Sequence, residues 1–319
     1  MLYKVLCFVN IHYCHSTCIL FGMWVMLSFF ALFALVIRRS AEKNTSKKID
    51  SMTLSWLQQF MAMPFIIATL FLAPFYLPTQ VTPSFWQIMA VYVVCTAIDL
   101  YCYFKALSLA DISYVAPLLA LIAAGNVIGA YFVLGQQPTI WGFAGALLIV
   151  AGAILNNRGK RAKSVGEKRN NSLALLLIVI LVVVRSYYSN IELFMLREVN
   201  PTTFNFYSSV LTVPLLIAIA AVFWQRQGKS ISYYKHSFAA IKNNFWALSF
   251  IGLTYTVNLL ATYQAKILSP NAGYVGAIKS AQVLPMVLIG MMLFHEHVTK
   301  KQWYGLGLIC LGLVGLSLN

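Results

Sequence analysis

Apolar residues run along this chain in long stretches separated by short polar or proline-containing breaks, without the strict alternation of a half-buried strand. Bounding each stretch by its flanking charges, prolines and polar clusters predicts helices at 18–37, 54–77, 85–107, 112–134 and 139–155. Five more follow at 172–196, 203–224, 245–268, 272–294 and 302–318. Most reach the ~20 residues that span a hydrocarbon core of about 30 Å. The stretch at 139–155 is shorter, but its glycine-rich sequence between Pro138 and Asn156-Asn157 fits the same reading. The pattern predicts an all-α integral membrane protein with ten transmembrane helices, nine being the rival count. Residues before 18 read as an irregular segment. Lys4 precedes only a short apolar stretch broken by Asn10, His12 and His15, with no small-residue cleavage site, so the first helix is expected to act as its own insertion signal.

Composition narrows the class. Of 319 residues 60% are hydrophobic and 10% charged, against about 45–50% and about 25% in soluble domains. A soluble globular protein is excluded, and little is left for a domain outside the bilayer. The 23 Lys and Arg outnumber the 8 Asp and Glu, which in a soluble chain would suggest nucleic acid. Here the excess reads as loop charge that orients the chain in a cell membrane, so the expected partners are the lipid bilayer and a small molecule, with no nucleic acid. Eighteen of the basic residues fall on one predicted face and three on the other. The positive-inside rule then puts residues 156–171 in the cytosol and both termini outside. The six cysteines are too scattered for a disulfide framework.

The basic connection 156–171, with Arg158, Lys160, Arg161, Lys163, Lys168 and Arg169, divides the predicted helices five and five, into units 18–155 and 172–318. Laying residues 85–155 over 245–315 without a gap pairs Phe85-Trp86 with Phe245-Trp246, Tyr103 with Tyr263, and Tyr114-Val115 with Tyr274-Val275. It also pairs Gly145 with Gly305, Ile149 with Ile309 and Gly152 with Gly312. Upstream the offset changes, so that Thr53 matches Thr203 and Pro64 matches Pro214. Five helices is an odd number, so the second unit enters the membrane from the opposite side. The expected fold is two inverted five-helix repeats, an arrangement characteristic of secondary transporters.

These residues resemble the EamA branch of the drug/metabolite transporter superfamily. The resemblance is carried by Tyr103-Phe104-Lys105-Ala106-Leu107, Val115-Ala116-Pro117-Leu118 and the run from Gly145 to Gly152. In the second half it is carried by Tyr274 to Lys279, Phe294-His295-Glu296 and the run from Gly305 to Gly312. It implies two five-helix repeats and transport of a small metabolite. Two features depart from the family pattern. A Gly-Glu pair before the fifth helix of each repeat is replaced in the first by Gly135-Gln136. The family's usual cytosolic termini also conflict with the charge count.

Four ionisable residues lie well inside the predicted helices: Asp99, Arg185, Glu192 and Lys279. Facing lipid, each would be unfavourable by roughly 2.5–3.5 kcal/mol, so all should face the bundle interior or a wet cavity. They either neutralise one another as structural pairs or contact substrate or a coupling ion. Arg185, Tyr188 and Glu192 follow helical spacing and share a face, but Arg185 and Glu192 lie about 10 Å apart along the axis, too far to pair. Lys279, on a segment with Gly273 and Gly276 before it and Pro285 after, is the candidate anchor for an anion. Asn126, Asn258 and Gln282 could supply neutral hydrogen bonds, with Tyr103, Tyr263, Tyr114 and Tyr274 lining the space. Asp99 and Glu192 are the coupling candidates, Asp99 first because it is nearer the centre of its helix. Lys105 and Lys266, near helix ends, read as snorkelling to headgroups.

Gly145, Ile149 and Gly152, like Gly305, Ile309 and Gly312, put small residues on one helix face, suited to packing within the chain or in a homodimer. His12, Cys14, His15 and Cys18 lack zinc-site spacing, and His295-Glu296-His297 lacks the second His of HExxH, position 299 being Thr. No cofactor motif is present. The expected function is a secondary active transporter of a small metabolite, anionic or zwitterionic, working by alternating access. The alternative is a membrane-embedded enzyme or flippase acting on lipid-linked substrates.

Overall fold

Local chemistry sets where the helices begin. Asp50, in extended conformation, accepts from the Thr53 N–H at 3.0 Å, and Asn200 accepts from the Thr203 N–H at 2.9 Å. Each supplies an acceptor to an otherwise unpaired first-turn donor. The computed structural model describes the backbone of residues 2–135, 137, 139–159, 165–226, 230–269 and 272–317. Over these residues the chain forms α1 (Leu2–Thr45), α2 (Ser51–Thr69), α3 (Pro83–Leu109), α4 (Ile112–Leu119), α5 (Leu121–Leu134) and α6 (Ile140–Gly159). It continues with α7 (Val165–Glu198), α8 (Pro201–Arg226), α9 (Ser230–Leu268), α10 (Ala272–Ser280), α11 (Val283–Phe294) and α12 (Lys300–Ser317). No β-strand occurs among the described residues.

Several boundaries differ from those expected. Helix α1 is already helical at Leu2, so the segment before residue 18 is not irregular; the His12, Cys14, His15 and Cys18 side chains lie outside the described residues. Gln136 lies outside them as well. The connection at 156–171 is shorter than expected, because α6 runs on to Gly159 and α7 starts at Val165. The expected loop 225–244 is helical from Ser230, with a kink at Asn244 (φ −128°, ψ 22°) where the sequence pattern places the helix start.

The expected helices 112–134 and 272–294 are each interrupted, the first at Ala120 and the second at Ala281 and Gln282. Tight i to i−3 bonds replace the α pattern there. The Ala120 N–H donates to Pro117 O at 3.2 Å and the Ala123 N–H to Ala120 O at 3.0 Å. In the second case the Ala281 N–H donates to Ile278 O at 3.1 Å and the Gln282 N–H to Lys279 O at 3.2 Å. Pro117 and Pro285 contribute, each removing one backbone donor beside the interruption.

The protein is an all-α, multi-pass membrane protein. Seven helical segments among the described residues are long and apolar enough to cross a bilayer: Met23–Thr45, Pro83–Leu109, Ile112–Gly129, Ile140–Asn157, Lys168–Glu198, Pro201–Gln225 and Ser237–Leu268. Helices α2, α10 with α11, and α12 fall outside that set for identifiable reasons. Helix α2 buries Ser51, Thr53, Ser55, Gln58 and Gln59, whose polarity is turned inward. Helix α11 has only 12 residues, and α12 begins on Lys300-Lys301. Large apolar side chains such as Phe33, Phe132, Phe143 and Trp246 are exposed, as a lipid-facing surface requires.

The most extensive helix pairing joins α6 to α12, followed by α1 with α9 and α3 with α7. Between α6 and α12 the backbones touch. A Cβ on Gly152 would lie 2.5 Å from Gly305 O, and one on Gly145 2.6 Å from Gly312 O. The reciprocal positions are as tight, at 2.7 Å from Gly305 to Gly152 O and 2.6 Å from Gly312 to Gly145 O. Only glycine permits this approach, and Ile149 and Ile309 are fully buried beside it. Both small-residue faces are therefore filled within one chain, which removes the homodimer use of them.

Two charged side chains tie the ends together. Glu296, in the loop after α11, accepts from the first N–H groups of α4, Ile112 at 3.0 Å and Ser113 at 2.8 Å, where a negative charge also meets the positive end of the helix dipole. Lys43 donates to Leu107 O at 2.8 Å and Ala110 O at 2.6 Å, at the negative end of α3.

Candidate functional site

Four helices each turn one polar stripe toward a common interior. Helix α1 presents Arg38, Arg39 and Glu42; α3 presents Tyr92, Thr96, Asp99 and Tyr103; α7 presents Arg185, Tyr188, Ser189 and Glu192; α9 presents Tyr255, Asn258, Thr262, Tyr263 and Lys266. Spacings of three, four and seven keep each set on one helical face. The stripes enclose a cavity of about 180 Å³. Both helix interruptions abut it, through Leu119, Ile122 and Asn126 on one side and Lys279, Ser280 and Gln282 on the other.

Nine of the eleven residues singled out from the sequence line this one cavity: Asp99, Tyr103, Asn126, Arg185, Glu192, Asn258, Tyr263, Lys279 and Gln282. Tyr114 does not, its hydroxyl donating instead to Asn157 Oδ1 at 2.5 Å, and the Tyr274 side chain lies outside the described residues. The surroundings of the nine differ. Asp99, 1% exposed, receives both Arg185 Nε at 2.8 Å and Arg185 Nη2, and the Tyr188 hydroxyl donates to it at 3.2 Å. Glu192 is held by Lys266 Nζ at 2.7 Å and by the Tyr92 hydroxyl at 3.1 Å. Arg185 and Glu192 thus have separate partners. Lys279 differs from the other cations: its Nζ donates to Thr262 Oγ1 at 2.8 Å, and among the described residues no carboxylate lies within ion-pairing distance.

The neutral groups divide between structural and open. Asn258 Nδ2 donates to Ala31 O at 2.6 Å, fastening α9 to α1. Asn126 Oδ1 accepts from Ser189 Oγ at 2.8 Å. Gln282 Oε1 is buried without a hydrogen-bond partner among the described residues, as are Thr96 Oγ1 and Gln58 Oε1 on the same wall. Tyr103 donates to Glu42 at 2.8 Å, while Tyr263 is buried against Phe204, their ring centroids 5.4 Å apart.

Sequence reasoning missed four charged groups. Arg38 and Arg39 count from sequence as loop charges after the first helix, yet α1 continues to Thr45 and turns them, with Glu42, into the cavity wall. Lys266 does not snorkel but pairs with Glu192. The signal for the first three was their own spacing: Arg38, Arg39 and Glu42 sit at i, i+1 and i+4, with Glu42 3.0 Å from Arg38. Nothing in the local sequence marked Lys266, because its partner is 74 residues away.

The arrangement can hold a small charged solute and exclude lipid. No group of three or more His, Cys, Asp or Glu able to hold a metal occurs among the described residues.

A model of the EamA-like transporter family matches residues 22–158 and again residues 172–318. The chain belongs to the EamA-like transporter family. This EamA-like chain is accordingly a membrane transporter and not an enzyme, which sets aside the reading as a membrane-embedded enzyme. No curated protein matches its sequence. One solved crystal structure, described only as that of a protein, matches 93% of this chain and 97% of its own with a TM-score of 0.67 at 17% identity. At that identity the likeness bears on the fold alone, and the fold of this EamA-like transporter is shared over nearly its whole length.

Proposed function

We propose that this EamA-like transporter is a secondary active carrier of a small anionic or zwitterionic metabolite, operating by alternating access between two inverted five-helix repeats. The observation that carries the reading is the charge of the cavity wall: Arg38, Arg39, Arg185, Lys266 and Lys279 against Glu42, Asp99 and Glu192. A low-dielectric site with that excess favours a negatively charged ligand, and among the described residues Lys279 is hydrogen-bonded to a hydroxyl and paired with no carboxylate.

Packing supports the repeats. The offset that carries Gly145 onto Gly305 and Gly152 onto Gly312 is the same for both, and each glycine packs on the counterpart of the other. Under the same exchange the α1–α9 pairing corresponds to α7–α3, and the interruption at Ala120 corresponds to that at Ala281. Two such interrupted helices beside a binding cavity are a recurrent feature of transporters built from inverted repeats. Ten membrane crossings follow if α2, α10 with α11, and α12 are counted with the seven apolar segments.

Orientation rests on charge. With Arg38, Arg39 and Lys266 assigned to the cavity, sixteen basic residues remain on the face of residues 156–171 and two on the other. Residues 156–171 are expected in the cytosol and residue 319 outside. Reporter fusions at both places test this, and a cytosolic C-terminus overturns it.

For coupling, the geometry favours Glu192 over Asp99. A guanidinium grips Asp99 through two atoms, whereas Glu192 is held by the point charge of Lys266, a contact with no fixed fork geometry. Lys279 lies within electrostatic reach of both Glu192 and Lys266. A proton on Glu192 releases Lys266 to join Lys279, so proton and anion bind together, each favouring the other by the same factor. In proteoliposomes the parent protein is expected to accumulate its substrate under an inward acid gradient. Glu192→Gln is expected to keep exchange and lose accumulation; accumulation equal to the parent in that variant sinks the coupling role. Absence of any gradient-driven or exchange flux across a metabolite panel counts against the carrier reading.

A further inference from the structure

Arg38 and Arg39 occupy adjacent positions of α1 and both line the cavity, although they are only 7% and 3% exposed. One carboxylate serves them both. Glu42 lies 3.0 Å from Arg38 and 3.8 Å from Arg39, and it also accepts from the Tyr103 hydroxyl at 2.8 Å. Each guanidinium lies over a tyrosine ring, Arg39 at 3.8 Å from the centre of the Tyr103 ring and Arg38 at 5.1 Å from that of Tyr255. Such a cation–π contact holds the group in place without using its N–H donors. Arg38 Nη1 and Arg39 Nε are buried and have no hydrogen-bond partner among the described residues. A buried charged donor without an acceptor is destabilising, and an arriving oxyanion removes that penalty.

The cavity therefore holds two under-neutralised cationic places on different helices, the Arg38–Arg39 pair on α1 and Lys279 on α10. Its wall carries an excess of two positive charges. Its volume, about 180 Å³, is below the ~300–1,000 Å³ of sites for drug-sized ligands, so the charges it accepts sit on a short skeleton.

We propose that Arg38 and Arg39 bind one acidic group of the substrate while Lys279 binds another, making the cargo a compact organic dianion. The inference rests on the carrier reading and narrows its substrate class. Small dicarboxylates and phosphate monoesters share this chemistry.

The test uses the full-length protein, in detergent for binding by calorimetry and in proteoliposomes for exchange, with succinate, glycerol 3-phosphate, butyrate and glycerol as probes. At least one dianion is expected to bind about tenfold or more tightly than butyrate, and glycerol not to bind. The preferred dianion tells whether carboxylate or phosphate is recognised. Arg38→Gln and Arg39→Gln are each expected to weaken that dianion by about ten- to a hundredfold, the loss of a charge-assisted hydrogen bond. Glu42→Gln, which frees a guanidinium, is expected to tighten it.

Butyrate binding as tightly as both dianions, neither dianion binding, or folded arginine variants binding the dianion like the parent overturns the proposal. Where the arginine variants fail to fold, Glu42→Gln decides, and unchanged or weaker dianion binding there overturns it. Dianions that bind without exchanging leave the subsite standing and sink the carrier reading. Exchange of some other compound, with dianions neither binding nor competing, does the reverse.

Discussion

Lys279→Ala is expected to abolish transport of the cognate substrate while the protein inserts and melts much like the parent. Two features separate these outcomes. The only hydrogen bond of the ammonium is to the Thr262 hydroxyl at 2.8 Å, with no carboxylate at ion-pairing distance among the described residues. Its removal orphans no opposite charge, and it relieves the repulsion of a half-buried cation that lies within reach of Lys266 and Arg38. Stability should therefore fall little. Substrate binding, by contrast, loses its counter-charge in a site of low dielectric, where a charge-assisted contact is roughly twice as strong as a neutral one. Exchange in proteoliposomes and thermal melting in detergent measure the two effects. Transport retained within a few-fold of the parent refutes the anchor role. A variant that fails to fold, and is rescued by removing Asp99 or Glu192, would make Lys279 a structural partner.

The reverse pattern is expected at Asp99. Replacing it with alanine leaves Arg185 without the carboxylate that both its Nε and Nη2 engage, and removes the acceptor of the Tyr188 hydroxyl. Breaking a buried pair from one side typically costs about 3–5 kcal/mol, because the remaining charge is uncompensated, whereas replacing both partners with apolar residues is often neutral. Asp99→Ala should destabilise by about that amount, and Asp99→Leu with Arg185→Leu should recover most of it. Denaturant unfolding in mixed micelles gives the comparison. A single variant within about 1 kcal/mol of the parent, on the scale of an exposed pair, would show that the Asp99–Arg185 contact contributes little to the fold and return Asp99 to the coupling candidates.

The contrast between these two residues shows what sequence spacing carries and what it does not. Periodicity put Arg185, Tyr188 and Glu192 on one face, and the cost of a charge in lipid turned that face inward; both arguments are local to a helix. Neither could say that Asp99 would meet Arg185 across 86 positions, or that Glu192 would meet Lys266 and leave Lys279 to a hydroxyl. Partner choice depends on which helices lie side by side, α3 on α7 and α7 near α9 at the cavity. Arg38 and Arg39 were misplaced for a related reason. The apolar run of α1 fades before the helix does, since charged residues that pair with each other and with a cavity need no lipid-facing hydropathy to stay helical. The helix expected at 54–77 likewise turns polar residues inward, in α2.

By itself the sequence determined the class of this EamA-like transporter: a multi-pass, all-α membrane protein, its family, the matching glycine faces and a set of residues bound to lie inside. Those features follow from transfer free energies and helical period, which act residue by residue. Only the tertiary structure decided that the glycine faces of α6 and α12 meet within one chain, that helices 112–134 and 272–294 break where they reach the cavity, and which charges are neutralised there. Those outcomes depend on distances between segments far apart in the chain. Hydrophobic burial in a bilayer brings helices together without specifying which polar atoms face each other, and close backbone packing and ion-pair geometry then select the arrangement.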